Sequence, residues 1–264
     1  MKIKYPKKSL GQNFLKDKNI IDIIVNNGDI KKNDTVLEVG PGTGNLTEKI
    51  LLKNPTKLLA IEKDKFLTKN LHLKFKDKIL LVNDDILKID EKKYSDKPMI
   101  VFGNLPYNIS TQILIKWIRY KNLNHIFKKL ILMFQKEVAE RIIAETNTKN
   151  YGRLSVLSSW KLNIKKILDV SPNCFYPIPK VKSSILLIEP KNEYFNLKNS
   201  KNLEHITNIF FNQRRKMIKK PLNIIFNDVK DISKKLNINI SDRPQNLAPS
   251  KYFEICKEYE KSFL

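Results

Sequence analysis

Three of the seven glycines in this 264-residue chain lie within five positions, Gly40-Pro41-Gly42-Thr43-Gly44. At an average usage of about 7%, a chain of this length would hold roughly 18 glycines, so a sequence this sparing of them clusters three only where the backbone demands it. The cluster follows the apolar run Val36-Leu37-Glu38-Val39 and precedes a helical pattern starting at Asn45. Strand, glycine turn and helix in that order open a nucleotide-binding βαβ unit. Such a unit needs a parallel neighbour reached by a right-handed crossover, which sets the fold class as α/β.

The following residues repeat the pattern. Short apolar runs at Thr35–Val39, Lys57–Ile61, Lys78–Val82, Met99–Gly103 and Lys129–Phe134 have the composition of parallel strands buried on both faces. Helical patterns fall between them at Asn45–Lys53, Asp64–His72, Ser110–Tyr120 and Lys136–Glu145, after an earlier helix at Asn19–Asn27 that Gly28 can stop. These alternations predict a doubly wound, Rossmann-like sheet. After Tyr151 the pattern changes. A helix is expected at Gly152–Trp160, then strands at Asn163–Val170 and Val181–Glu189 flanking a proline-rich connection, which is most simply an antiparallel pair added to the parallel sheet. Residues 190–200 are polar and pattern-poor, so the expected domains are 1–190, with a basic N-terminal arm, and 191–264, all helical from Lys201–Lys219 onward.

With 50 basic and 27 acidic residues the formal charge is +23, which predicts a polyanionic partner, nucleic acid before an anionic membrane. Part of the lysine excess fits a coding bias towards A and T, since the chain is also rich in Ile and Asn. Arginine escapes that objection. There are six, and two are adjacent in Phe211-Asn212-Gln213-Arg214-Arg215-Lys216, the expected RNA-binding run. Cys174 and Cys256 are too few and too far apart for a disulfide framework or a cysteine zinc site, and the three histidines lack ligand spacing, so no metal is expected. No apolar run approaches the roughly 18 residues of a membrane helix, and Met1–Lys8 lacks the apolar segment of a signal peptide. A soluble, cytoplasmic protein is expected.

The chemistry-bearing residues fall at strand ends. A dinucleotide fold uses G-x-G-x-x-G to seat a pyrophosphate, whereas G-x-G-x-G after a strand-terminal acid, here Glu38, is the arrangement of S-adenosylmethionine (SAM) enzymes, whose sulfonium ligand has no phosphate and tolerates an acid nearby. Glu62 closes the second strand 22 residues after Gly40, placed to accept from both ribose hydroxyls. In Asn83-Asp84-Asp85-Ile86, at the end of the third, either carboxylate can accept from an adenine amine. The fourth strand delivers Asn104-Leu105-Pro106-Tyr107 to the same edge. An aromatic amine is a poor nucleophile because its lone pair is delocalised. The Asn104 side-chain oxygen and the Leu105 carbonyl can together accept both amine hydrogens and favour a pyramidal nitrogen. Pro106 fixes the backbone that presents that carbonyl, and Tyr107 can stack on the base. This is catalysis by positioning and electrostatics, without a strong general base.

Seven stretches carry a resemblance: Gly11-Gln12-Asn13-Phe14-Leu15, Glu38 through Gly44, Gly103 through Ser110, Gln135-Lys136-Glu137-Val138, Tyr151-Gly152-Arg153-Leu154-Ser155, Phe175 through Val181 and Phe211 through Lys216. In this order, over nearly the whole chain, the sequence resembles the KsgA-type small-subunit ribosomal RNA adenine dimethyltransferases. The resemblance implies a class I SAM-dependent methyltransferase sheet with a small helical C-terminal domain. It implies addition of two methyls to the exocyclic amine of each of two adjacent adenosines near the 3' end of small-subunit (16S) rRNA, late in ribosome biogenesis on a pre-30S particle. The chain is expected to act as a monomer, with SAM as methyl donor. By position, Asn13, Leu15, Gly40, Glu62, Asp85 rather than Asp84, and Asn104 would contact the cofactor, and Phe175 would stack on the target base opposite Tyr107. Two rivals are the macrolide-resistance (Erm) enzymes, which act on large-subunit rRNA and favour Ser before Gln-Asn-Phe and Ile in Asn-x-Pro-Tyr, and related assembly factors that bind without methylating. Gly11, Leu105 and the Asn212–Lys216 run argue against the first; the intact Asn104–Tyr107 motif and glycine turn argue against the second.

Overall fold

A computed structural model describes residues 6, 7 and 10–262, so most of the basic arm lies outside the described residues. The chain divides into two compact units, one made of the residues up to Ala139 with Asn163–Pro190, the other of Glu140–Leu162 with Lys191–Leu264. One edge of the division falls where the polar stretch after residue 190 begins. The segment 140–162, grouped with the first domain from sequence, packs instead with the helices.

The first unit is built on a seven-stranded sheet in the order β4-β3-β2-β5-β6-β9-β7. Its strands are β2 (Thr35–Val39), β3 (Lys57–Ile61), β4 (Leu80–Val82), β5 (Met99–Asn104), β6 (Phe127–Gln135), β7 (Leu162–Val170) and β9 (Ser183–Pro190). The first five are parallel, and β9 adds antiparallel to β6, with Leu132 opposite Leu186. The central strands are apolar along their whole length because helices cover both faces: Val36, Leu37, Leu59, Ala60, Ile100, Val101 and Phe102 are fully buried. Strand order reverses between β2 and β5, the place where a doubly wound sheet leaves a crevice beyond its carboxyl ends. Around the sheet lie α1 (Lys18–Gly28), α2 (Asn45–Leu51), α3 (Lys65–Phe75), α4 (Ser110–Ile118) and α5 (Lys136–Ile142). Asp17 and Asp64 cap α1 and α3 through their side chains.

No periodicity in the sequence announces a second, two-stranded ribbon in this unit, β1 (Phe14–Leu15) with β8 (Phe175–Tyr176). Phe14 lies opposite Tyr176 and Leu15 opposite Phe175. Side chains alternate along a strand, so Leu15 and Phe175 enter the core while Phe14 and Tyr176 share the other face.

The second unit contains α6 (Arg153–Lys161), α7 (Ser200–Asn212), α8 (Lys219–Ile225), α9 (Val229–Leu236) and α10 (Pro249–Lys261). The single helix expected over Lys201–Lys219 stops at Asn212 and α8 starts at Lys219, with Gln213–Ile218 between them. Aromatic rings fill the centre: Tyr252 packs on Phe210 and Phe211, and Tyr151 meets Phe211 edge-on. The hydroxyls of Tyr151 and Tyr252 donate to the Leu247 and Pro244 carbonyls, so neither polar tip is left unpaired in the core. Glu260 of α10 accepts from the Lys198 and Asn199 N–H groups and from Asn202 at the start of α7, fixing the first turn of that helix.

Candidate active site

A cleft opens at the carboxyl ends of β2, β3 and β5, lined among others by Asn13, Gly40, Glu62, Asp85, Asn104 and Pro106. Six expected site residues therefore converge from five separate stretches of sequence. Four others do not line it. Leu15 and Phe175 lie in the core, Leu105 is buried, and Tyr107 sits beside the cleft, half-buried.

Backbone geometry accounts for the glycines. Gly40, Gly42 and Gly44 all have positive φ, at 67°, 59° and 80°, a region that L side chains adopt at a cost. A Cβ on Gly42 would stand 2.8 Å from the Phe14 ring, so this glycine lets the ribbon close on the turn. A Cβ on Gly40 would meet nothing within 4 Å and would project into the cleft's open space. Gly40 therefore leaves open space at the turn, as the glycine turn of a SAM site requires.

Glu62 is 7% exposed. Its Oε2 accepts from the Gly42 N–H at 3.2 Å and its Oε1 from the Asp64 N–H at 2.8 Å. Burial pushes its pKa up, against these two bonds. Each oxygen keeps a lone pair for a ligand hydroxyl. Glu38 is not at the cleft. It is fully buried beneath the turn, bonded to Thr47 Oγ1 at 2.7 Å, and burial pushes its pKa up to about 8. The strand-terminal acid is thus a structural member of the turn rather than a ligand contact.

Asp85 Oδ2 pairs with Lys63 at 2.9 Å and Oδ1 accepts from the Leu87 N–H. Burial raises its pKa less than these bonds lower it, so it stays below the usual range. Asp84 lines the cleft as well, and its Oδ1 accepts from the Asp85 N–H. The loop beyond is braced from below. Glu91, with no exposed surface, accepts from Trp117 Nε1 and Lys116 Nζ, each at 2.7 Å, and from the Tyr120 hydroxyl. The same Lys116 ammonium donates to the Ile86 and Ile89 carbonyls. This ties the acidic loop to α4, and nothing in the local sequence of Glu91 announced it.

Asn104 Nδ2 donates to the Asn13 carbonyl at 2.7 Å. That bond fixes the amide plane and leaves Oδ1 with no donor among the described residues. Gly103 makes room for the Leu105 side chain, which would lie 2.6 Å from a Cβ there. The Tyr107 hydroxyl and Ser183 Oγ are 2.6 Å apart, anchoring the ring to β9, and burial, opposed by this bond, raises the tyrosine's pKa. Gly11, at φ 62°, packs against Pro106 and Asn108, so its identity follows from contact with the Asn104–Tyr107 segment. Gln12 and Lys7 both bond Asp64, and their hydrogen bonds, with that of the Phe66 N–H, outweigh burial and hold the Asp64 carboxyl below its ordinary range.

Phe175 has no exposed surface and packs with Leu15, Ile21 and Ile185, whereas Tyr176 next to it is 53% exposed. The expected stacking residue opposite Tyr107 is, in this structure, a core aromatic. In the helical unit, Arg214 donates to Gln245 and to the Thr148 and Lys149 carbonyls, while Arg215 and Lys216 are exposed. The basic run thus divides into one structural guanidinium and two solvent-facing cations. Among the described residues no His, Cys, Asp and Glu group could hold a metal ion, and no helix is long and apolar enough to cross a membrane.

The strand order and strand-end cleft define a class I methyltransferase fold. The chain is similar in shape to a dimethyladenosine transferase from Plasmodium falciparum, with a TM-score of 0.77 and 27% identity over 95% of this chain and 98% of that one. Residues 3–261 match the model of the family described as ribosomal RNA adenine dimethylase. Curated relatives named ribosomal RNA small subunit methyltransferase A include one from Pelagibacter ubique, 58% identical over 96% of this chain and 97% of its own, and one from Ehrlichia ruminantium, 43% identical over 95% and 96%. The chain belongs to the ribosomal RNA adenine dimethylase family.

Proposed function

We propose that this chain dimethylates the exocyclic amines of two adjacent adenosines near the 3' end of small-subunit rRNA, late in ribosome biogenesis, with SAM as methyl donor and the cytoplasm as its place of action. The observation that carries the reading is the Asn104 amide. With Nδ2 committed to the Asn13 carbonyl, Oδ1 is left as an acceptor at the cleft. Together with the Leu105 carbonyl it would accept both hydrogens of an adenine amine and pyramidalise the nitrogen. The oriented acceptors supply the catalysis through positioning rather than proton abstraction.

SAM, when bound, supplies an electrophilic methyl on a sulfonium. Glu62 would accept from the ribose hydroxyls, Asp85 from the adenine amine, and Asn13 and the Gly40 backbone would line the remaining wall. Tyr107, held by Ser183, would stack on the target base. Leu15 and Phe175 would support this wall from the core rather than touch a ligand. Arg215 and Lys216 are the cations of the C-terminal run that would meet phosphates, and the partner would be a pre-30S particle met by a monomeric enzyme. The curated relatives' names favour the small subunit over a large-subunit target.

The test is incubation with labelled SAM and separately purified, undermethylated small and large subunits, followed by mapping of the product. Dimethyladenosine at adjacent 3' positions of the small-subunit RNA is expected. Label confined to large subunits, or to neither, would overturn the proposal.

A further inference from the structure

A second cavity, of about 470 Å³, lies within the sheet unit and shares Phe14, Gly42 and Leu67 with the strand-end cleft. Its size falls within the range of ligand sites, about 300–1,000 Å³. Its lining comes from the β1–β8 ribbon, with the cross-strand pair Phe14 and Tyr176, and from α3, with Asn70 and Lys74, together with Asn45 and Lys16.

The character of the lining is specific. Tyr176 presents an aromatic ring with half its surface exposed. The exposed Lys16 ammonium makes no hydrogen bond or ion pair with any described residue, and the Asn70 amide likewise has no partner among them. Asn45 spends Nδ2 on the Leu15 carbonyl at 2.8 Å, which leaves its Oδ1 as an acceptor. Lys74 is partly committed, to the Thr43 carbonyl and to the exposed Glu48. A π-face, amide edges and ammonium groups side by side are the groups that recognise a nucleotide in single-stranded RNA.

The cavity also lies within reach of the reacting position. Asn104 bonds the Asn13 carbonyl, Phe14 follows Asn13, and Phe14 is paired with Tyr176. Three short steps therefore separate the catalytic amide from the exposed ring. One bond, one residue of about 3.8 Å and one strand spacing of about 5 Å bring Tyr176 within the span of one or two nucleotides.

We propose that this cavity holds a nucleotide of the RNA substrate flanking the target adenosine, its base stacked on Tyr176 and its phosphate met by Lys16 and Lys74. The inference rests on the proposed function and deepens it. It also gives an exposed aromatic to the sequence position beside the one from which Phe175 was expected to stack.

Tyr176→Ala, Tyr176→Phe and Lys16→Gln would be assayed on undermethylated small subunits, with SAM affinity measured on each variant as a control for folding. Tyr176→Ala is expected to raise KM for the subunits about tenfold, the effect of losing one stacked base, with kcat and SAM affinity unchanged. Tyr176→Phe should stay within twofold of wild type. Lys16→Gln should lower the log–log salt slope of RNA binding by about 0.7, one single-strand phosphate contact. A Tyr176→Ala KM within twofold of wild type, or a Tyr176→Phe KM raised as far as that of Tyr176→Ala, would overturn the site. Wild-type protein that leaves small subunits unmethylated would sink the proposed function instead, whatever the Tyr176 variants do.

Discussion

Glu62 in the sheet unit and Glu260 in the helical unit are buried to nearly the same degree, 7% and 6% exposed. Both accept backbone N–H groups. Glu260 takes three donors from one stretch, Lys198 to Asn202, and closes a helix start. Glu62 takes two, from chain segments 22 residues apart, and borders an open cleft. The tyrosine hydroxyls of the helical unit complete its packing as Glu260 does. Two buried atoms of that unit with no partner among the described residues, Ser158 Oγ and Gln213 Oε1, do not line the cleft. Asn104 and Glu62 of the sheet unit, by contrast, keep acceptor capacity at the cleft that no described residue consumes. Unspent capacity at a cleft, rather than burial, is what sets the proposed site residues apart.

The hardest test of that contrast is Asn104→Ala. If the free Oδ1 orients the amine, labelled methyl incorporation into small subunits should fall about 10²–10³-fold, the effect of losing one preorganised polar group, while the melting temperature changes little. Unchanged incorporation would make Asn104 another packing amide.

Next is a pH test of the sheet unit's own buried acid. Glu38 has a folded pKa of about 8 against an ordinary glutamate value of 4.5. Between those values the folded state holds a proton that the unfolded state has released, so stability falls as pH rises from about 4.5 to about 8, with a slope approaching 1.4 kcal/mol per pH unit at its steepest, about one proton. Denaturant unfolding at pH 5, 6, 7 and 8 would show it. Glu38→Gln should flatten the profile, and a wild-type profile that is already flat would show that Glu38 is ionised where it lies.

A paired exchange then sets the two carboxylates against each other. Glu260→Ala leaves buried donors unpaired and should cost about 1–3 kcal/mol of stability with SAM affinity retained. Glu62→Gln should do the reverse, weakening SAM by about tenfold with a smaller change in stability, as read by calorimetry and thermal melts. The smallest effect is expected in the basic run. Arg215→Ala with Lys216→Ala should lower the log–log salt slope by about 0.7–0.9 for each phosphate that the pair neutralises, while Arg214→Ala lowers the melting temperature by releasing the Thr148 and Lys149 carbonyls. Equal behaviour of the three would erase the distinction between them.

The parallel strands and the glycine turn were legible in the sequence because each is a local pattern: five or six apolar residues, or three glycines forced into positive φ. The placement of Asn104 at the cleft followed from strand position alone. The ribbon was not legible. Two residues per strand carry no periodicity, and only the pairing of Leu15 with Phe175 decides that Phe175 faces the core and Tyr176 the solvent. Sequence position likewise could not separate Arg214 from Arg215, since the carbonyls that hold Arg214 come from residues about 65 positions away. The grouping of Glu140–Leu162 with the helices was hidden for a similar reason: its partners lie after residue 190.

The bond between Asn104 and Asn13 spans 91 positions. On a growing chain the N-terminal stretch emerges first, yet the Asn13 carbonyl has no amide to receive until Asn104, at the end of β5, has been made. Fixing that stretch requires closure of a long loop, whose entropic cost grows only with the logarithm of its length. A chain that has not yet closed this loop therefore carries the Asn104 amide without the bond that orients it.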